Sequence, residues 1–191
     1  MSHLRLFIAF DSPPDVKSKA AEIQDELRRA HADVSWERSE KLHCTIKFLG
    51  ETTSELVPAV VDVLTEISRV SAPFSVRYRG TGCFPDMRAP RVLWLGIENP
   101  DGNLDSLFQR IDSGMSGLGY KPENRHYHPH LTLGRVRSAR NQSNLLRILE
   151  NVTFESTLLP INEILLIKSE LRPTGSVYTK IKFFPLVGNS G

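Results

Sequence analysis

Two copies of one short pattern lie far apart in this chain. His43-Cys44-Thr45-Ile46 opens the run that continues Lys47-Phe48-Leu49-Gly50, and His130-Leu131-Thr132-Leu133 opens the run that continues Gly134-Arg135. Both read His-x-Thr-hydrophobic, and both have the character of β-strands. Side chains alternate across a strand, so a His and a Thr two positions apart share a face. The residues between and after them are apolar and suited to a core. Each strand therefore buries one row and presents an imidazole and a hydroxyl on the other. Set side by side, two such strands enclose one pocket between two histidines, with two hydroxyls at its floor.

The flanking segments repeat as well. Leu4 to Phe10 reads as a strand. Ser12 is placed to cap a helix that starts with Pro13 and Pro14 and carries Val16, Ala20, Ile23 and Leu27 as one apolar stripe. The first signature strand follows at about 42–49. A second helix starts near Ser54, with Leu56, Val60, Leu64 and Ile67 on one face and Pro58 tolerated in its first turn. A strand spans about 74–82. The order then restarts: a strand at 91–97, a helix striped by Leu104, Leu107, Phe108, Ile111, Met115 and Leu118, the second signature strand, and a shorter helix at 142–149. Arg5 precedes His43 by 38 residues and Arg91 precedes His130 by 39. This near-equal spacing implies a duplicated half with pseudo-twofold symmetry, which brings the signatures together at a central seam. Residues 163–186 read as a hairpin turning at Arg172-Pro173-Thr174-Gly175, and 188–191 as a loose tail. No linker divides the chain, so residues 1–191 are expected to form one domain of two interleaved lobes.

Composition narrows the class. The chain has 191 residues, 40% apolar and 24% charged, with a net charge of +2. Extensive non-specific binding to duplex nucleic acid calls for a more basic chain. Two cysteines, Cys44 and Cys83, make no disulfide framework, and Cys44 is expected to pack as a small apolar residue. Leu6 to Phe10 is too short for a leader and Asp11 follows it. No run approaches the roughly 20 apolar residues of a membrane span. A cytoplasmic monomer without membrane contact is the expectation.

At these residues the chain resembles the 2H phosphoesterase superfamily, named for two His-x-Thr/Ser-hydrophobic motifs, and most nearly its bacterial RNA 2′,3′-cyclic phosphodiesterases, once called 2′-5′ RNA ligases. The resemblance covers nearly the whole chain. It runs through Leu6-Phe7-Ile8-Ala9-Phe10, the first signature with Lys47-Phe48-Leu49-Gly50, Gly82-Cys83-Phe84-Pro85 and Pro90-Arg91-Val92-Leu93-Trp94-Leu95-Gly96. It continues through His128-Pro129-His130-Leu131-Thr132-Leu133-Gly134-Arg135 and Ser169-Glu170-Leu171-Arg172-Pro173, with Tyr178. Gly134, where the family often has Ala, and Cys44, often Leu, depart from it only on the packing side. The resemblance implies an α+β bilobal fold, two antiparallel sheets around a central cleft with helices outside. It implies metal-free hydrolysis of a terminal 2′,3′-cyclic phosphate to a 2′-phosphate, with His43 as proton donor and His130 as proton acceptor.

The residue chemistry agrees with that assignment. Opening a cyclic phosphate needs a water deprotonated on one side and a leaving alkoxide protonated on the other. Imidazole suits both, its unperturbed pKa of about 6.5 lying near neutrality. Thr45 and Thr132 supply hydroxyl donors toward non-bridging oxygens, although Thr is also a common strand former. Arg135 offers a planar clamp for phosphate. Strand alternation sets it opposite His130, so a bulge or a strand end is needed to bring it in. Phe48, or a neighbouring aromatic, is placed to stack on the terminal base. Trp94 is expected in the core. His126, His128 and His130 alternate as metal ligands do, but Pro129 stiffens the segment and no acidic residue completes a set; no metal and no cofactor are expected. His128 reads as a positioning residue. The expected partner is RNA bearing a 2′,3′-cyclic phosphate at its 3′ end. Alternatives are 2′-5′ linked RNA or ADP-ribose 1″,2″-cyclic phosphate as substrate, weak reverse ligation, a metal hydrolase using the three histidines, and a non-catalytic RNA-end binding module.

Overall fold

The computed structural model of the chain describes residues 2–173 and 175–188. Strands and helices follow in the order β1 (His3–Asp11), α1 (Pro14–Arg28), β2 (Val34–Trp36), β3 (His43–Thr53), α2 (Val57–Val70), β4 (Phe74–Phe84) and β5 (Val92–Glu98), then α3 (Asn103–Gly117), β6 (His130–Val136), α4 (Gln142–Asn151), β7 (Leu159–Ile161), β8 (Glu163–Arg172) and β9 (Gly175–Pro185). The repeated order expected from the sequence is present. The three-residue strands β2 and β7 are additions too short to leave a period.

The strand order is β7-β4-β5-β6-β3-β1-β8-β9, with β2 beside β6. This order is palindromic about the β6–β3 seam, as a pseudo-twofold axis requires. The halves exchange strands: β4 of the first half pairs with β5 of the second, and β8 of the second with β1 of the first. Helices exchange too, α1 packing on α4 and α2 on α3. The two expected sheets are continuous, joined at the seam by the antiparallel pair Cys44–Leu131. The register aligns Phe7 with Phe48 and Val92 with Arg135. Arg5 thus corresponds to Pro90, one residue from the partner suggested by spacing.

The main core lies between the helices and one face of the sheet. The stripe Val16, Ala20, Ile23 and Leu27 is buried there with Leu6, Ile8 and Phe10, each large apolar side chain contributing about 1.5–3 kcal/mol. Helix α1 begins after Pro13 without a side-chain cap. Ser12 instead accepts a buried hydrogen bond from Tyr78 Oη at 3.0 Å, so its hydroxyl ties β1 to β4 rather than starting the helix. Phe7, Ala9, Leu165 and Ile167 form a smaller cluster of their own with Tyr178 packed against it; Phe7 and Ala9 lie opposite the cleft-lining Phe48 and Thr45. The hairpin pairs Arg172 with Gly175. Thr174 of the expected turn, and 189–191 of the expected tail, lie outside the described residues.

Candidate active site

The seam places the two signatures side by side. Antiparallel pairing at Cys44 and Leu131 sets His43 across from Thr132 and Thr45 across from His130. All four line one cavity of ≈ 170 Å³. A larger, open hollow of ≈ 460 Å³ on the outer surface, among Pro14, Lys17, Ser39 and Glu40, holds no imidazole.

Each signature strand carries a one-residue bulge just after its threonine. On β3, Thr45 pairs with Ala9 and Lys47 with Ile8, which leaves Ile46 extra. On β6, Thr132 pairs with Trp94 and Gly134 with Leu93, which leaves Leu133 extra. A bulge resets the alternation of faces. Strict alternation would aim Lys47 into the cleft and Phe48 into the core, but Lys47 is buried and Phe48 is 64% exposed. Arg135 reaches the cleft in the same way. Phe48 and Arg135 thus occupy equivalent positions in the two copies.

The imidazoles are held alike. His43 Nδ1 lies 2.6 Å from the carbonyl of Lys41, and His130 Nδ1 lies 2.7 Å from the carbonyl of His128. A carbonyl can only accept, so Nδ1 carries hydrogen in both rings and Nε2 is free for chemistry. His43 stacks on Phe7 at 4.8 Å and meets the edge of Tyr178 at 5.3 Å. His130 meets Phe84 at 5.0 Å. Burial, which disfavours the charged ring, holds both imidazoles below their ordinary pKa. Smaller influences differ between them. The Asp11 carboxylate, opposite His43 in the β1–β3 register, favours its proton, with Lys17 opposing. The His128 carbonyl favours a proton on His130, while the His128 ring and Arg135 disfavour it. Burial works to raise the Asp11 pKa, but Lys17 and Lys180 outweigh it and hold the carboxylate below its usual range. Burial pushes the Cys44 thiol up to about 12, leaving it a packing group.

All six residues singled out by the sequence, His43, Thr45, Phe48, His130, Thr132 and Arg135, line the cavity. His128 does not line it; it supplies the carbonyl that orients His130. Trp94 is not in the core. It lies half-buried against His128 and Phe84, over Gly82, where a Cβ would come within 2.3 Å of its ring. Among the described residues no three His, Cys, Asp or Glu side chains converge as a metal site, and no helix is long and apolar enough to cross a membrane. Lining residues not singled out as site residues include Glu37, Lys41, Phe84 and Tyr178. Glu37 lies in a loop and Lys41 at the end of a single 3-10 turn (Ser39–Lys41) before β3, where no pattern marks them. Tyr178 arrives only through the β1–β8–β9 pairing.

The family profile described as LigT like Phosphoesterase matches residues 10–94 and again 95–178, once per half. An RNA 2′,3′-cyclic phosphodiesterase of Methanothermobacter thermautotrophicus is 37% identical over 96% of this chain and 99% of its own length. One from Aquifex aeolicus is 31% identical over 98% of this chain and 100% of its own. Among solved structures, TT0787 of Thermus thermophilus superposes with a TM-score of 0.83 at 28% identity, covering 98% of this chain and 100% of that one. Escherichia coli LigT complexed with 3′-AMP superposes at 0.75 with 26% identity, covering 97% and 99%.

Proposed function

Because the chain belongs to the LigT-like phosphoesterase family, we propose that it hydrolyses the 2′,3′-cyclic phosphate at RNA 3′ ends to a 2′-phosphate, with His43 and His130 as paired acid and base and no metal. The observation that carries this reading is the matched presentation of the two rings. Both are fixed through Nδ1 to a carbonyl two residues upstream, and both line one cavity with a threonine across the seam.

In this mechanism His130 Nε2 takes a proton from water as the oxygen attacks phosphorus. The P–O3′ bond breaks, and the proton on His43 Nε2 passes to O3′. The product carries a 2′-phosphate and a free 3′-hydroxyl. The asymmetry around the rings supports this order: a carboxylate lies near the proposed acid, and a guanidinium near the proposed base. Both rings favour the neutral form when the cleft is empty, so the substrate's own negative charge helps His43 hold its proton. Thr45, Thr132 and Arg135 donate to the non-bridging oxygens, and Phe48 stacks on the terminal base. The same groups serve weak 2′-5′ ligation, in which a 5′-hydroxyl replaces water as the attacking oxygen, gives its proton to His130, and the P–O3′ bond breaks as before. Since each half supplies one imidazole, the two halves act as a single catalytic unit, and one chain suffices.

The test uses an oligonucleotide ending in 2′,3′-cyclic phosphate, with chelator present. Wild type should open the ring, and His43→Ala and His130→Ala should each lose about 10²–10⁴-fold. Near wild-type turnover by either variant rules out the two-histidine mechanism, and retention of the end without turnover by wild type favours a binding module.

A further inference from the structure

The bulge that turns Arg135 into the cleft leaves the backbone of Leu133 out of the β5 ladder, and a buried side chain of α1 meets it. Gln24, only 3% exposed, sits among the apolar residues of that helix. Its Nε2 lies 2.7 Å from the carbonyl of Leu133 and 2.8 Å from that of Glu37. Both acceptors are carbonyls, so the amide has one allowed orientation and both its hydrogens are used. The Glu37 N–H donates to the same Leu133 oxygen at 3.0 Å. One amide therefore fixes the bulged residue of β6 and the segment that carries Glu37, both beside the cavity.

The other half repeats the device with different chemistry. Val16, Ala20, Ile23 and Leu27 of α1 correspond to Leu104, Phe108, Ile111 and Met115 of α3 at a constant separation of 88 residues, which matches Gln24 to Asp112. Asp112 receives the Lys47 ammonium at 2.5 Å, and Lys47 directly follows the bulged Ile46. In each half, the same helix position thus sends a polar group to the bulge that aims a cleft residue.

We infer that Gln24 is a positioning residue of the cleft: it holds the β6 bulge and so keeps Arg135 aimed at the phosphate. The inference rests on the proposed role of Arg135. Gln24 bonds no imidazole, and of the two segments it ties only the β6 bulge aims a residue proposed to hold the phosphate, so its loss acts through Arg135. A general core role would instead weaken the protein without regard to Arg135.

The experiment is a double-mutant cycle. Gln24→Met keeps the side-chain length and removes both donors; Gln24→Asn, too short to span both carbonyls, replaces it should the first fail to fold. Each is combined with Arg135→Ala and, separately, with Phe48→Ala. For the cyclic-phosphate oligonucleotide, Gln24→Met should raise KM about tenfold, leaving kcat within about threefold. In the Arg135→Ala background it should cost less than about twofold, whereas its effect should multiply with that of Phe48→Ala. Equal multiplication in both backgrounds overturns the inference. Affinity for inorganic phosphate is measured in the same proteins. Coupling there without turnover by wild type removes the proposed reaction and leaves the inference standing; no coupling in either measurement overturns it.

Discussion

Asp112→Ala measures what it costs to strand the Lys47 charge that the first bulge turns inward. The bulge at Ile46 turns Lys47 toward the core, where its side chain is 5% exposed and that of Asp112 is 14% exposed. The ammonium bonds Asp112 Oδ1 at 2.5 Å and the carbonyl of Lys121 at 3.0 Å. The same carboxylate oxygen accepts the Glu123 N–H at 3.0 Å. Removing Asp112 leaves a buried cation with one neutral acceptor, and breaking such a pair costs about 3–5 kcal/mol. For a chain of this size that lowers Tm by about 10 °C. Replacing both partners with apolar groups, as Lys47→Met with Asp112→Leu, removes the stranded charge and should lie within about 2 kcal/mol of wild type. Equilibrium unfolding in denaturant at neutral pH measures both. The reasoning fails if Asp112→Ala unfolds within about 1 kcal/mol of wild type, or if the double variant is the less stable of the two.

Further expectations follow from the same structure. Phe48→Ala should raise KM about tenfold with kcat nearly unchanged, because a base–aromatic stack is worth about 1–3 kcal/mol; steady-state kinetics decides. The imidazoles of His43, His128 and His130 are held below their ordinary pKa. At pH well above about 6.5 they are neutral in both folded and unfolded chains and contribute nothing. As pH falls below that value the unfolded chain takes up protons that the folded chain refuses, so Tm should drop, and less steeply in His43→Ala; a Tm that rises on acidification contradicts the burial argument. Gly82→Ala should push the Trp94 ring off its strand, cost about 1–3 kcal/mol, and red-shift tryptophan emission; an unchanged spectrum contradicts that packing.

The duplicated plan was legible because two periods coincide in it: alternation in the signature strands and the helical stripes between them. That His43 and Thr45, and His130 and Thr132, share a face followed from alternation; their choice as site residues rested on the repeated motif and the family resemblance. Phe48 and Arg135 did not, since one extra residue inverts every face beyond it. Alternation aims Lys47 at the cleft and Arg135 away from it, the reverse of what the bulges produce. Nothing in the runs Thr45-Ile46-Lys47 or Thr132-Leu133-Gly134 marks the bulge locally; the holding groups, Gln24 and Asp112, lie on helices far away in sequence. Trp94 misled for a different reason. Apolar bulk points to the core, but the cleft face of β5 is also covered, by His128 and Phe84. Ser12 looked like a cap because its neighbours are two prolines, yet a buried tyrosine hydroxyl takes it instead.

The assignment of acid and base can be tested with one substrate change. A cyclic phosphate with sulfur in place of the bridging O3′ has a leaving group that departs without protonation. On it, His43→Ala should recover a rate near that of wild type, because the missing group is the acid. His130→Ala should stay about 10²-fold or more below wild type, because water must still lose its proton. Recovery of His130→Ala instead, or of neither variant, would contradict the paired-histidine account as drawn.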